Sequence, residues 1–147
     1  MALGSNLGDR NAHLDHAISR LGDILDDLRV SRFYDTVPVG APGPQPLFLN
    51  AAAVGLTTMA AREVLGTLLA IEQERGRERP YQNAPRSLDL DLILFGDSVI
   101  DEPDLIVPHP RFRERRFVLE PLAQIAPDLR DPVTGLTVAA LLQASLK

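Results

Sequence analysis

The apolar and polar positions divide the chain into alternating strand-like and helix-like stretches. Met1-Ala2-Leu3 reads as the stub of a strand whose opening residues are clipped. Asp9 is placed to N-cap a helix with the apolar stripe Leu14, Ala17, Ile18 and Leu21, the spacing of one helical face. Leu28 to Tyr34 reads as a second strand and Leu47 to Thr57 as a third. In the third, Leu49, Ala51 and Ala53 face one way; Phe48, Asn50, Ala52, Val54 and Leu56 face the other. Thr58 is placed to cap a second helix running to about Arg75, with Val64, Leu65, Leu68 and Ile71 inward. Period 2 then returns from Leu88 to Phe95. Leu88, Leu90, Leu92 and Leu94 share one face, and Asp89, Asp91, Ile93 and Phe95 the other, which predicts a strand inside a sheet. Gly96-Asp97 predicts a turn and Ser98 to Asp101 a short returning strand. Helices are predicted from Arg111 to near Leu122 and from Thr137 to Ser145.

Two stretches resist regular structure. Thr36 to Pro46 holds four Pro and two Gly in eleven residues, and Arg75 to Arg86 is an Arg-rich loop leading into the Asp strand. The order of elements is βαββαβ. It predicts one domain over residues 1–147, α+β in class, with a ferredoxin-like core of helices packed on a mainly antiparallel sheet.

Composition narrows the partners. With no cysteine there are no disulfides and no thiolate metal sites. No signal-peptide pattern and no apolar run long enough for a membrane span is present, so the expectation is a cytoplasmic protein with no membrane partner. A net charge of −5 argues against a general nucleic-acid binder. Lys147 is the single lysine, which leaves 14 of the 15 basic residues as Arg. Eight of these lie between Arg75 and Arg116, around the Asp pair. Guanidinium forks grip phosphate and carboxylate bidentately, which an ammonium does not.

The Asp pair carries the chemistry. Two carboxylates at i, i+2 on one strand face lie about 7 Å apart at Cα, repel each other and call for a cation between them. Hard divalent ions with oxygen ligands fit, and Mg2+ takes one or two carboxylates plus substrate phosphates. The bland alternative is an edge strand with both acids in water. Glu72, in the last turn of its helix, opposes the helix dipole and calls for a partner. Asn50 on a half-apolar face needs partners too, with Phe48 beside it. His13 and His16 read as exposed helix residues, and Gly4-Ser5-Asn6-Leu7-Gly8 as a structural turn. Neither common phosphate-loop glycine motif is present. From residues alone, the chain reads as an Mg2+-dependent nucleotide phosphotransferase. A non-catalytic ferredoxin-like binding module and a two-metal nucleotidyl transferase or phosphohydrolase are the competing classes.

Five motifs, in order, resemble the 6-hydroxymethyl-7,8-dihydropterin pyrophosphokinase family of folate biosynthesis. They are Gly4-Ser5-Asn6-Leu7-Gly8, Phe33-Tyr34-Asp35-Thr36, Phe48-Leu49-Asn50-Ala51, Pro85-Arg86-Ser87-Leu88-Asp89-Leu90-Asp91, and Val107-Pro108-His109-Pro110-Arg111 through Arg115-Arg116-Phe117. The resemblance implies transfer of the β,γ-pyrophosphoryl unit of ATP to the hydroxymethyl group of the reduced pterin, leaving AMP, by a monomer. It implies two Mg2+ ions, bound with ATP, on Asp89 and Asp91. It assigns phosphate binding to Arg77, Arg79, Arg86 and Arg115, with Arg77 and Arg86 also catalytic. His109 falls close to the nucleotide phosphates, and Glu72 and Leu92 near the nucleotide. The implied pterin pocket is Thr36, Val39 and Asn50, with Phe48 and Phe117 sandwiching the ring. The chain departs from the family in three places. Gln82-Asn83-Ala84 stands where members often carry Arg-Trp-Gly, in a loop about one residue shorter; Phe48 replaces a common Tyr; and the first strand reads as clipped.

Overall fold

The computed structural model describes residues 1–37, 47–76 and 87–145. The order is β1 (Ala2–Ser5), α1 (Arg10–Gly22), β2 (Asp26–Val30), β3 (Tyr34–Thr36), β4 (Phe48–Leu56), α2 (Ala61–Glu74), β5 (Asp89–Asp91), β6 (Ile100–Glu102), β7 (Leu105–Val107), α3 (Arg116–Ile125) and α4 (Val138–Ser145). A 3-10 turn over Phe112–Glu114 precedes α3. The main sheet runs β2, β4, β1, β5, with β3 also on β4, and every pairing is antiparallel. With the first and third strands of the plan central, this is the ferredoxin-like arrangement. No helix among the described residues is long and apolar enough to cross a membrane.

Each face of the sheet has its own core. Leu3, Leu49, Ala51, Ala53, Leu88, Leu90 and Leu92 pack under α1 and α2 with Leu14, Leu21, Val64, Leu68 and Ile71. Ala52 and Ile93 pack on the opposite face with Val118, Leu119 and Leu122 of α3 and Val138 and Leu141 of α4. Phe112, with no exposed surface, sits in this second core. The alternation along β4 is the expected one, because strand geometry sends successive residues to opposite faces.

Three expectations change at the second and last strands. Leu28 to Tyr34 is not one strand. The register on β4 slips by one residue between Asp26 and Arg29. It slips again between Val30, opposite Ala53, and Tyr34, opposite Asn50. Ser31 sits at this break. Its amide donates to Ala52 O at 2.9 Å and its hydroxyl accepts from Ala52 N at 2.9 Å, so a side chain replaces a ladder bond.

The Asp strand is not interior, either. Among the described residues β5 is an edge strand of three residues, paired to β1 alone in the sheet order. Its last residue, Asp91, lies opposite Ala2, the first residue of β1, and beyond it Ile93 O takes the amide of His109 at 2.9 Å. Past that point the faces exchange, and Leu94 joins the α3 core while Phe95 joins the α1/α2 core. Finally, the strand after Gly96-Asp97 covers Ile100–Glu102 and pairs with β7 in a separate two-stranded sheet rather than returning to β5.

The helix ends are partly as expected. Asp9 caps α1 through Ala12 N at 3.1 Å. At α2 the cap is not Thr58. Glu63 Oε1 accepts from Ala60 N at 2.9 Å, while Thr57 Oγ1 takes Met59 N at 3.0 Å. His13 and His16 are not free surface residues. His13 Nδ1 accepts from Arg75 Nε at 2.9 Å and His16 Nε2 meets Glu74 Oε1 at 2.7 Å, tying α1 to the end of α2.

Candidate active site

The register of β1 assembles the site. Gly4 lies opposite Asn50 of β4 on one side and Asp89 of β5 on the other. Tyr34 continues the row beyond Asn50. One row across the sheet therefore reads Tyr34, Asn50, Gly4, Asp89. The next reads Ala52, Ala2, Asp91. Two strand spacings of about 4.8 Å separate the Cα atoms of Asn50 and Asp89 by about 10 Å. Thr36 pairs with Phe48, and the Asn50 amide nitrogen donates to Thr36 Oγ1, so Thr36, Phe48 and Asn50 share this face.

Gly4 makes the row usable. A Cβ there would meet Phe48 Cε1 at 3.1 Å and Asn50 Oδ1 at 3.2 Å, so both side chains lean over the glycine backbone. The motif containing Gly4 does not form a turn at this position, since Gly4 and Ser5 are the end of β1. A glycine inside a strand signals a close approach, and that signal was available in the sequence.

The Asp pair is half-buried on the same face, with Leu90 buried between them on the other. Glu72, only 1% exposed, accepts the amide of Leu90 at 2.7 Å through Oε2. The acid that opposed its helix dipole therefore caps the outer edge of β5. A buried carboxylate is costly without donors, and an edge strand has amides to offer. Removing this acceptor leaves the Leu90 amide buried and unpaired. Glu72→Ala should cost about 1–3 kcal/mol in a denaturant melt. An unchanged midpoint would show that water takes over the bond.

His109 follows the cis Val107–Pro108 bond, and its Nδ1 accepts from Arg111 N at 3.2 Å. The neutral ring then carries its proton on Nε2. Burial and then the charge of Arg115 hold His109 below the ordinary imidazole value; Asp89 pulls it up and Arg111 lowers it again. The Arg115 guanidinium stands 5.7 Å from the centre of the Phe117 ring. Beside Asp91 and His109 lies a recess of about 280 Å³ lined by Leu65, Leu90, Leu92, Leu105 and Ile106. A larger cavity, about 710 Å³, opens between Val54–Leu56 and Leu92–Phe95; neither Asp89, Asp91, Asn50 nor His109 lines it.

A family model described as 7,8-dihydro-6-hydroxymethylpterin-pyrophosphokinase matches residues 1–127. The chain belongs to this family. It is 40% identical over 145 residues to the 2-amino-4-hydroxy-6-hydroxymethyldihydropteridine pyrophosphokinase of Synechocystis, covering 97% of this chain and 73% of that one. It is 42% identical over 134 residues to the protein of the same name from Pseudomonas aeruginosa, covering 90% and 82%. The folic acid synthesis protein fol1 of Pneumocystis carinii is 39% identical over 141 residues, 95% of this chain but 19% of that longer protein.

Seen against the family assignment, the structure gathers Thr36, Phe48, Asn50, Asp89 and Asp91 on one sheet face. It sets Leu92 in the recess that His109 borders, where the charges of Arg115 and Asp89 act on the imidazole in opposite directions. Phe117 opens α3 beside Arg115. Glu72 sits behind β5, on the α2 side. Val39 and Arg77, Arg79 and Arg86 lie outside the described residues, as do most of the two irregular loops. Asp131 was not singled out in the sequence, although it accepts two bonds from Arg113.

Proposed function

We propose that this pyrophosphokinase moves the β,γ-pyrophosphoryl unit of Mg2+-bound ATP onto the hydroxymethyl oxygen of 6-hydroxymethyl-7,8-dihydropterin, releasing AMP. The observation that carries the reading is the row Asn50, Gly4, Asp89, which sets an amide reader and an acid pair on one face with a glycine notch between them. Asn50 spends its amide N–H on Thr36, so its Oδ1 remains to accept from the donor edge of a pterin. Phe48, leaning over Gly4, and Phe117 flank the ring. Asn50→Ala should weaken pterin binding by about 1–3 kcal/mol and leave ATP binding within about twofold. Equal losses for both ligands in separate titrations would make Asn50 a fold residue instead.

The donor set suits magnesium. Among the described residues no group of three or more His, Cys, Asp or Glu forms a cage. Two hard carboxylates on one strand face match an ion whose shell is completed by phosphates and water. Asp89 and Asp91 would hold two such ions with ATP. When bound, they would neutralise phosphate charge and acidify the nearby alcohol. The recess, apolar apart from Asp91, Asp104 and His109, takes the purine base beside Leu92. The Nε2–H of neutral His109 donates to a phosphate oxygen, and Arg115 adds a fixed positive charge. Arg77, Arg79 and Arg86 complete the phosphate clamp, with Arg77 and Arg86 gripping the unit that moves.

In the transfer a bond forms from the pterin hydroxymethyl oxygen to the β-phosphorus. The bond from that phosphorus to the α,β-bridging oxygen breaks. AMP departs with the electron pair, and the alcohol proton is released. The protein supplies alignment and charge and forms no covalent intermediate. A single turnover with ATP, Mg2+ and the reduced pterin alcohol, resolved by nucleotide chromatography, should give stoichiometric AMP. ADP as the product would refute the reading.

A further inference from the structure

The segment from His109 to Phe117 delivers three proposed ligand contacts: His109, Arg115 and Phe117. Its regular structure before α3 is the single 3-10 turn Phe112–Glu114, too short to hold a position by its own hydrogen bonds. Two residues of that turn are gripped from elsewhere. Phe112 is buried among α3 and α4 side chains. Arg113 donates through Nε to Asp131 Oδ2 at 2.5 Å and through Nη2 to Asp131 Oδ1 at 2.9 Å.

Asp131 has no exposed surface. It also accepts from the Thr134 hydroxyl at 2.7 Å and from Val133 N at 3.0 Å. Its own backbone closes the turn, with Gly135 N on Asp131 O at 2.8 Å and Asp131 N on Leu136 O at 2.9 Å. Val138 N on Leu129 O and Ala139 N on Pro127 O then lock the turn to α4. The residue lies beyond 1–127, the stretch matched by the family model.

Asp131 is the buried partner and Arg113 is partly exposed, and pairing a buried acid is a poor way to gain stability, since apolar residues of similar volume do as well or better. A bidentate fork instead fixes the direction and distance of a guanidinium plane. Arg113 is two residues before Arg115, whose carbonyl begins α3 by accepting Val118 N and Leu119 N at 3.0 Å each.

We propose that Asp131 is a positioning residue for the transfer reaction: by clasping Arg113 it fixes the 3-10 turn, and with it the placement of Arg115 toward the phosphates and Phe117 toward the pterin. This rests on the proposed function for the roles of Arg115 and Phe117.

The test is Asp131→Asn in the full chain, held well below its melting temperature. Dissociation constants for a non-hydrolysable ATP analogue with Mg2+ and for the pterin alcohol are measured by titration beside steady-state kinetics. Both constants should rise about 5- to 20-fold with kcat within about threefold. On an Arg115→Ala background the same substitution should add less than about twofold to the nucleotide constant, because its effect runs through Arg115. A lower melting temperature with both constants unchanged would overturn the proposal. Losses that multiply fully with Arg115→Ala would overturn it as well. If the wild-type chain forms no AMP, the transfer reading fails, and the two binding comparisons still judge the clasp.

Discussion

Replacing Asp89 or Asp91 by Ala should reduce AMP formation about a thousandfold or more and leave the melting temperature within a few degrees. The size follows from the roles proposed for the pair. A divalent ion at a phosphoryl centre is worth several kcal/mol of transition-state stabilisation, and each 1.4 kcal/mol is about tenfold in rate. Losing one shared carboxylate removes most of that. Stability is insulated because the acids lie half-buried on one face while Leu90, between them, anchors the strand in the opposite core. A coupled assay for AMP and a thermal melt read the two effects separately. Activity within about tenfold of wild type in either variant would remove the metal assignment.

Gly4→Val should weaken pterin binding about 10- to 100-fold while changing ATP binding by less than about threefold. The first added atom alone approaches the Phe48 ring to 3.1 Å and Asn50 Oδ1 to 3.2 Å, and valine adds two more carbons. Overpacking a fitted site costs about 1–3 kcal/mol, and here the atoms that must yield are the proposed pterin readers. The three atoms nearest the added carbon belong to Phe48 and Asn50, and none to Asp89, which lies opposite Gly4 on β5. Separate titrations of the two ligands decide it. Equal weakening of both would mean that β1 itself had shifted.

Much of the fold was legible because it follows from periodicity. The two-faced alternation of β4, the stripe of α1 and the βαββαβ order need only the apolar pattern. The interruption at Ser31 was not legible, because a hydroxyl that replaces a ladder bond leaves no mark in hydropathy. The edge position of β5 was hidden for a related reason. Leu88, Leu90, Leu92 and Ile93 are all buried, but by two separate cores and the α2 side of the sheet rather than by strands on both sides. Periodicity reports burial and not which neighbour does the burying. In the candidate site, the acids, Asn50 and the aromatics were readable from residue type and motif. The residue type of Gly4 signals a close approach, and only the register shows what stands on either side of it. The clasp from Arg113 to Asp131 joins residues 18 apart through side chains alone, and no local pattern announces it.

The row from Asn50 through Gly4 to Asp89 turns the sheet into a ruler. Its two ends are held apart by backbone hydrogen bonding, a spacing that side-chain motion cannot compress. On the proposed assignment, an acceptor is therefore measured by length as well as by shape. A pterin whose alcohol arm is one carbon longer would still satisfy Asn50 and the aromatic pair, yet would present its oxygen about 1 Å or more off the line of attack, where about a hundredfold in rate is at stake. Such a molecule would occupy the site but react about a hundredfold more slowly, so selectivity against it would appear in turnover and not in affinity.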